Sequence, residues 1–530
     1  MANRDPSQQP FSDRRQDLLK AAVVSAASLV LYVITRTRHF GGDDTVFALV
    51  VQRWLEVGEV ERVFVHPHHL LYNPLVAACS WMVRAVSGGV FVLDVGAAVS
   101  ASAAAAALAG TYLVLRRFRV DENIALLASL ILALSGGMWR YATRMEVYTL
   151  AAAGVVAWLA AMSNPVASWR RLAAGFAAPW LCHSVLGLLV LPGAWLQRRR
   201  PRVLGLALAT GLVAPGVAVV GLLAWLNGAR SASAVVDIVV GPGSGRWLSP
   251  PNPLAMLRAL GGLATLQTYH ALPVFSQPTM ALFDLLGLFA IVTLAALVAW
   301  GAVVSIRDNN AIGLTSVLGI GCLVPLWLVW DVGNPEHAVA ATPLFTVLIA
   351  VAASAVGRKG GSVALAATAA VLLVVNGVGS ILLQTQPQLS RTLLVSDFVR
   401  ETIPEQGTLV AFGVDPELRL ALPYLGGRRV IDLTLLVHSA RRAGATPEEA
   451  LRRWLQLARF ANGTWLLEDP DAPAVRQWIA GLGIPEQTWR QARAMMSLGS
   501  GVTLGADGTV LRDPITLRRL EVRGDENPRG

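Results

Sequence analysis

The chain alternates between long apolar runs and short charged ones. A run of roughly twenty apolar residues has the length needed to cross a bilayer as a helix. In lipid only a helix or a closed barrel satisfies its own backbone polar groups. Such runs, some shorter than that ideal, occupy Leu19–Thr35, Val90–Leu115, Ile124–Gly137, Thr149–Met162, Val203–Leu226, Ala281–Ile306, Ala311–Trp330, His337–Val356 and Ser362–Leu383. The stretch Leu172–Leu196 reads as a pair of short helices with Cys182–His183 near the tip. The run Leu70–Val86 is interrupted by Tyr72, Asn73, Pro74 and Arg84, and reads as a helix lying at the outer surface.

Basic residues set the direction of threading. Arg116, Arg117 and Arg119, then Arg170–Arg171, Arg198–Arg200, Arg307 and Arg358–Lys359 follow alternate runs. The positive-inside rule places those ends in the cytoplasm. The expected architecture is mainly α: a polytopic transmembrane helical bundle of about 11 spans, amino terminus inside and carboxyl terminus outside. Residues 1–18 form a cytoplasmic tail and 19–383 the membrane domain, with outer loops at 36–89, 138–148, 227–280 and 331–336. A short surface helix is expected at Pro253–Leu266. Residues 384–530 are more charged, with strand-like runs at Gly407–Phe412, Arg429–Leu433 and Gly463–Leu467. Pro447–Arg459 reads as a helix, acidic at its start and basic toward its end, as the helix dipole prefers. This tail is expected to form a small extracytoplasmic α/β domain.

Composition agrees with a membrane protein. Hydrophobic residues make up 54%, charged residues only 15%, and the mean hydropathy is +0.53; soluble chains carry about 25% charged residues. The net charge of +10 does not indicate nucleic acid, because the arginines stand at the ends of apolar runs as topology anchors. Cys79, Cys182 and Cys322 lie in apolar stretches without metal-site spacing or a disulfide framework. The Ala, Gly and Arg usage is that of a GC-rich bacterial genome, which points to a bacterial inner membrane.

Ionisable residues at the membrane surface are candidates for function, and here they gather on the expected outer side. Asp43–Asp44 follow the first span; a carboxylate there can act as general base. His66, His68 and His69 lie downstream and suit polar or cationic contact with a phosphate. Fixed metal-ligand spacing is absent, so a divalent metal is not favoured and no cofactor is required. Arg140 and Arg144, if the helix continues, stand one turn apart on one face, with Glu146 and Tyr148 beyond. Two guanidinium groups suit a phosphate or pyrophosphate. Asp331, Asn334, Glu336 and His337 lie between two strong spans and offer hydrogen bonds to a hydroxyl-rich ligand.

The order of these motifs resembles the GT-C class of membrane glycosyltransferases, and within it the bacterial relatives of protein O-mannosyltransferases. The matching residues are Gly42-Asp43 with Phe47, then His66-Pro67 and Leu71-Tyr72, similar to an HPPGYPLY-like segment. Trp139 and Glu146-Val147-Tyr148 are similar to a W…EVY…L segment, and His183 precedes an apolar run ending in Leu191-Pro192. The chain departs from the pattern at Val46, where the family has an acidic residue, and at His68-His69-Leu70, where it has a glycine-proline core. The resemblance implies transfer of a sugar from a polyprenyl-phosphate donor to an acceptor hydroxyl at the outer face, with inversion. Asp43 would be the base, with Asp44 the alternative, and His183 would join the donor site. The acceptor would be a glycan, a lipid or a protein.

Other classes share this outline. A lipid-linked glycan transporter or flippase would place polar groups near the bilayer midplane on broken helices, whereas here they fall mostly in outer segments. A polysaccharide polymerase or ligase also has many spans and large outer loops. A catalytically inert scaffold would be indifferent to substitution of Asp43 or Asp44.

Overall fold

A computed structural model describes residues 11–58, 64–65, 68–226, 276–329, 336–461, 463–505, 511 and 514–523, with the single residues 231, 233 and 254. The expected loop 227–280 and the surface helix at Pro253–Leu266 lie almost wholly outside the described residues. The chain divides into two compact units: Met1–Thr37 with Val50–Leu383, and Arg38–Leu49 with Gln384–Gly530.

The first unit is helical. It holds α1 (Phe11–Ile34), the second half of α2 (Gly42–Val57), α3 (Tyr72–Ser87), α4 (Val92–Arg117), α5 (Glu122–Leu134), α6 (Gly136–Ala142), α7 (Tyr148–Met162) and α8 (Trp169–Cys182). A 3-10 turn (Ser184–Leu189) leads into α9 (Val190–Leu196). Then α10 (Pro201–Leu208) runs through a π-turn into α11 (Ala214–Leu226). After these come α12 (Gln277–Arg307), α13 (Ala311–Val329), α14 (Glu336–Val339), α15 (Thr342–Val356) and α16 (Arg358–Leu372), the last extended by a π-helical stretch, Leu373–Ile381.

The expected count of about eleven spans is not reached. Among the described residues five helices are long and apolar enough to cross a membrane, and six if the bent pair α5–α6 is one span. The physical reason is length. The helix α7 has 15 residues, a rise of roughly 22 Å, against a hydrocarbon core of about 30 Å. The same holds for α15, and Pro325 divides α13. The protein is nonetheless a polytopic membrane bundle.

Close approach of helices depends on small residues. A methyl group on Gly154 of α7 would stand 2.9 Å from the backbone of Ala178 and Pro179 in α8. On Gly301 of α12 it would collide with the Leu348 carbonyl of α15, and on Gly361 of α16 with the Ala353 carbonyl. Broken helices are held by side chains. The α5–α6 pair bends by 63° at Ser135, which strips the last carbonyls of α5 of helical partners. Tyr32 Oη donates to the Ala133 carbonyl at 3.1 Å, and Asn376 Nδ2 to the Leu134 carbonyl at 2.7 Å. Ser135 Oγ donates to the Leu132 carbonyl.

The second unit carries a five-stranded sheet of order β2-β1-β3-β5-β4. Its elements are α17 (Arg391–Thr402), β1 (Thr408–Ala411), α18 (Pro416–Leu425), β2 (Arg429–Asp432), α19 (Leu433–Arg442) and α20 (Pro447–Phe460). They continue as β3 (Thr464–Leu466), α21 (Pro473–Gly481), α22 (Glu486–Ala494), β4 (Met496–Leu504) and β5 (Ile515–Val522). Strand β1 is parallel to both neighbours, with Thr408 opposite Arg429 on one side and Thr464 on the other. Strand β5 returns antiparallel, pairing Arg519 with Trp465.

Each face of the sheet is covered. Phe412, Trp454 and Trp489 anchor one core, and Val395, Leu409 and Leu517 the other. The Trp454 indole N–H lies 3.3 Å from the carbonyls of both Ala411 and Ile431, so its polar edge is satisfied inside the core. Thr446 and Glu449 form a reciprocal capping box before Pro447 at the head of α20. The expected strands and the helix Pro447–Arg459 are present within a residue or two. The hairpin β4–β5 and helices α17, α18, α19, α21 and α22 were not expected.

Candidate functional site

Two interruptions in the first unit build the site. The first is the turn between α6 and α7. The expected loop 138–148 is instead a buried helix, α6, followed by a buried turn; Met138, Trp139 and Tyr141 are at most 1% exposed. The helix stops at Ala142, so Arg140 and Arg144 do not share a continuous helical face. A hydrogen bond from Trp139 Nε1 to Thr35 Oγ1, at 2.9 Å, ties α6 to the end of α1. Ser100 on α4 fixes the turn: its Oγ donates to the Glu146 carbonyl at 2.8 Å and accepts from the Glu146 amide at 3.1 Å. Tyr72 on α3 reaches the same point, 2.8 Å from Ser100 Oγ, and donates to the Gly96 carbonyl. The Arg144 and Glu146 side chains are buried as a result.

The second interruption is at His183. Pro179 lies inside α8, and at His183 the backbone turns extended, with φ −153° and ψ 115°. Ser184 then clasps the segment that follows α2: its amide donates to the His68 carbonyl at 3.1 Å, and its hydroxyl lies 3.0 Å from His68 Nδ1. This clasp brings His69 onto His183, with ring centroids 4.8 Å apart.

The two interruptions meet at Tyr148. Its ring is 5.9 Å from His183, stacked, and 6.2 Å from His69, edge-on. Tyr141 packs edge-on to Tyr148 at 5.2 Å. Both phenols donate to Glu336 at the start of α14: Tyr141 to Oε1 and Tyr148 to Oε2, each at 3.1 Å. The Arg140 guanidinium lies 5.5 Å from the Tyr141 ring centroid. The result is a polar cluster of two imidazoles, two phenols and a carboxylate, with hydrogen-bonding capacity suited to hydroxyl or phosphate groups. Among the described residues no three His, Cys, Asp or Glu side chains are grouped to hold a metal ion.

The expected residues distribute as follows. His68, His69, His183, Tyr148 and Glu336 come together, and Arg140, Arg144 and Glu146 lie on the adjoining helix and turn. Asp43 and Asp44 belong to the second unit. Asp43, in the first turn of α2, is exposed; Asp44 is fully buried and its Oδ2 accepts from the Gly41 amide at 2.9 Å. His66, Asp331 and Asn334 lie outside the described residues, and His337 is placed by its backbone in α14. Tyr141, Ser100 and Ser184 were missed from sequence. Tyr141 had a readable signal, its place between Arg140 and Arg144 beside the Glu146–Tyr148 motif. Ser100 sits in an alanine-rich helix and gave none.

No family model and no curated protein matches the sequence. Solved structures do match. ArnT from Cupriavidus metallidurans bound to undecaprenyl phosphate aligns with a TM-score of 0.60 at 12% identity, over 94% of this chain and 97% of that one. The chain shares its fold with ArnT. The apo state of ArnT gives 0.58 at 13% identity with the same coverage. This is the GT-C-like architecture, a membrane helical bundle followed by a sheet domain, and a match to ArnT of this extent takes in residues of both units.

Proposed function

We propose that this protein is a membrane glycosyltransferase that moves a sugar from a polyprenyl-phosphate donor to an acceptor hydroxyl at the extracytoplasmic face of a bacterial inner membrane. The observation that carries the reading is the near full-length likeness to ArnT, a structure of which holds undecaprenyl phosphate. The cluster around Tyr148 adds hydrogen-bonding groups of the right chemistry for a sugar phosphate.

Asp43 is the general base. Its exposure suits contact with an acceptor, whereas Asp44 is buried and reaches back to the Gly41 amide, as a third-position carboxylate does in a helix cap. Asp43 takes the acceptor proton as the acceptor oxygen bonds to the anomeric carbon. The bond from that carbon to the phosphate oxygen breaks on the opposite face, and polyprenyl phosphate leaves with the electron pair. Configuration at the carbon inverts. Arg140 and Arg144 offset the charge that develops on the leaving phosphate, an effect that is usually the largest catalytic contribution. His69, His183 and Tyr148 hydrogen-bond the donor, and Glu336 is held by both phenols to face its hydroxyl groups.

The test is glycan and lipid-linked sugar profiling of a deletion strain and of strains complemented with variants. Loss of the gene product leaves acceptor undecorated and donor accumulated. Asp43→Asn, present at the wild-type level in the membrane, fails to restore transfer, with a rate lower by about 10²–10⁴-fold. An unchanged profile in the deletion strain overturns the reading.

A further inference from the structure

The second unit has a cleft of about 770 Å³ whose lining includes none of the residues assigned to the transfer reaction. Its volume lies within the span of small-molecule sites, about 300–1,000 Å³. It opens where the sheet changes direction. From β1 the chain crosses to β2 on one side and later enters β3 on the other. The segments that leave β1 and β3, Val414–Leu418 and Leu467–Asp469, line the cleft, and Pro514–Thr516 with Arg518 face them from β5. In open parallel sheets, ligands bind at this point, outside the carboxyl ends of the strands.

The chemistry of the lining selects the ligand. In nucleotide-binding folds the amides after the first strand hold phosphate. Here those amides are already taken. Glu468 accepts from the amides of Phe412, Gly413 and Val414 at 2.6, 3.1 and 3.0 Å. Asp415 accepts from those of Glu417 and Leu418 at 3.0 and 3.1 Å. An anionic ligand finds no donor nest at the strand ends. What remains is a mixed rim: the Arg391–Asp415 ion pair, Glu417, Asp469, Thr516 and Arg518. Planar carboxylates and guanidinium groups pair with neighbouring hydroxyls, since they offer two acceptors or two donors side by side. Pro416, Leu418, Pro514 and Ile515 supply apolar surface for C–H faces. Three carboxylates on the rim, Asp415, Glu417 and Asp469, against two guanidinium groups disfavour an acidic ligand.

We propose that this cleft binds a short neutral or amino-bearing oligosaccharide, as a site separate from the transfer chemistry. The test uses the full-length protein in nanodiscs and three trisaccharides: an N-acetylglucosamine trimer, its deacetylated amine form, and a uronic-acid trimer. Binding is read by saturation-transfer NMR and calorimetry. The wild type is expected to bind the neutral or the amine form and to reject the uronic acid. Arg518→Ala, and separately the exposed pair Glu417→Gln with Asp469→Asn, are each expected to weaken binding by about tenfold, the loss of one hydrogen bond to a charged group. The exposed pair leaves the sheet intact even if the Arg518 substitution does not. Asp43→Asn is expected to bind as the wild type does, which separates this site from the catalytic one. Failure of both non-acidic trimers to bind, preference for the uronic acid, or unchanged affinity in the exposed pair overturns the proposal.

Discussion

Raising the pH should loosen the sheet domain. Burial pushes the Glu468 carboxyl from its ordinary 4.5 up to about 7; the amides of Phe412 and Val414 pull it down, and Asp432 raises it further. Burial likewise pushes Asp432 from 3.8 up to about 6, against the amides of Leu435 and Thr434 and the charge of Arg419. Both folded values exceed the unfolded ones, so the unfolded chain gives up its protons first. The domain is therefore most stable below the unfolded values, loses stability as pH rises through this window, and levels off above about pH 7. For Glu468 alone the change from 4.5 to about 7 corresponds to about 3 kcal/mol, roughly a hundredfold in the opening equilibrium. Hydrogen exchange of the β1 and β3 amides in the full-length protein, corrected for intrinsic exchange rates, reads this directly. Protection should fall between pH 5 and 7.5, and Glu468→Gln should flatten the fall while lowering protection throughout, because its amide keeps one accepting oxygen but sets N–H against the backbone donors that face the other. Protection that is constant or rises over that interval would refute the assignment of a proton to Glu468.

Three further outcomes follow from the packing. Tyr148→Phe removes one of two phenol hydrogen bonds to Glu336, about 1.5–3 kcal/mol for a charged acceptor; a double-mutant cycle with Glu336→Gln should show coupling, and additivity would mean the contact is idle. Asn376→Leu leaves the Leu134 carbonyl without its donor, and thermal unfolding in detergent should show a loss of about 1–3 kcal/mol; an unshifted midpoint would count against the bent helix being held there. Trp454→Ala empties the centre of one sheet core, with an expected loss of about 3–5 kcal/mol, visible as proteolysis confined to the second unit; resistance equal to wild type would contradict that placement.

Much of this structure was legible, unevenly. Long apolar helices such as α4 and α12 announce themselves because lipid imposes length and composition together. The shorter ones, α7 and α15, look the same in composition, and counting them as full crossings produced too many spans. The break at His183 was readable from the shortness of Leu172–Leu196 between basic ends. The break at Ser135 was not, since what stabilises it comes from Tyr32 and Asn376, far away in sequence. The histidines and Glu336 were candidates as separate outer groups. Their convergence depends on Tyr148 and on the Ser184 clasp, and no local pattern encodes either. The hairpin β4–β5 was missed because serine, glycine and arginine dilute its alternation.

The bend at Ser135 also bears on biogenesis. Its two stray carbonyls are capped by residues from opposite ends of the membrane unit, and Asn376 emerges 242 residues after Leu134. During synthesis the kinked segment enters the bilayer with one cap absent, and the missing donor arrives only with the final span. A nascent chain truncated before that span should therefore straighten the kink or remain with the insertion machinery, so that the polar cluster around Tyr148 matures last, when the membrane unit is complete.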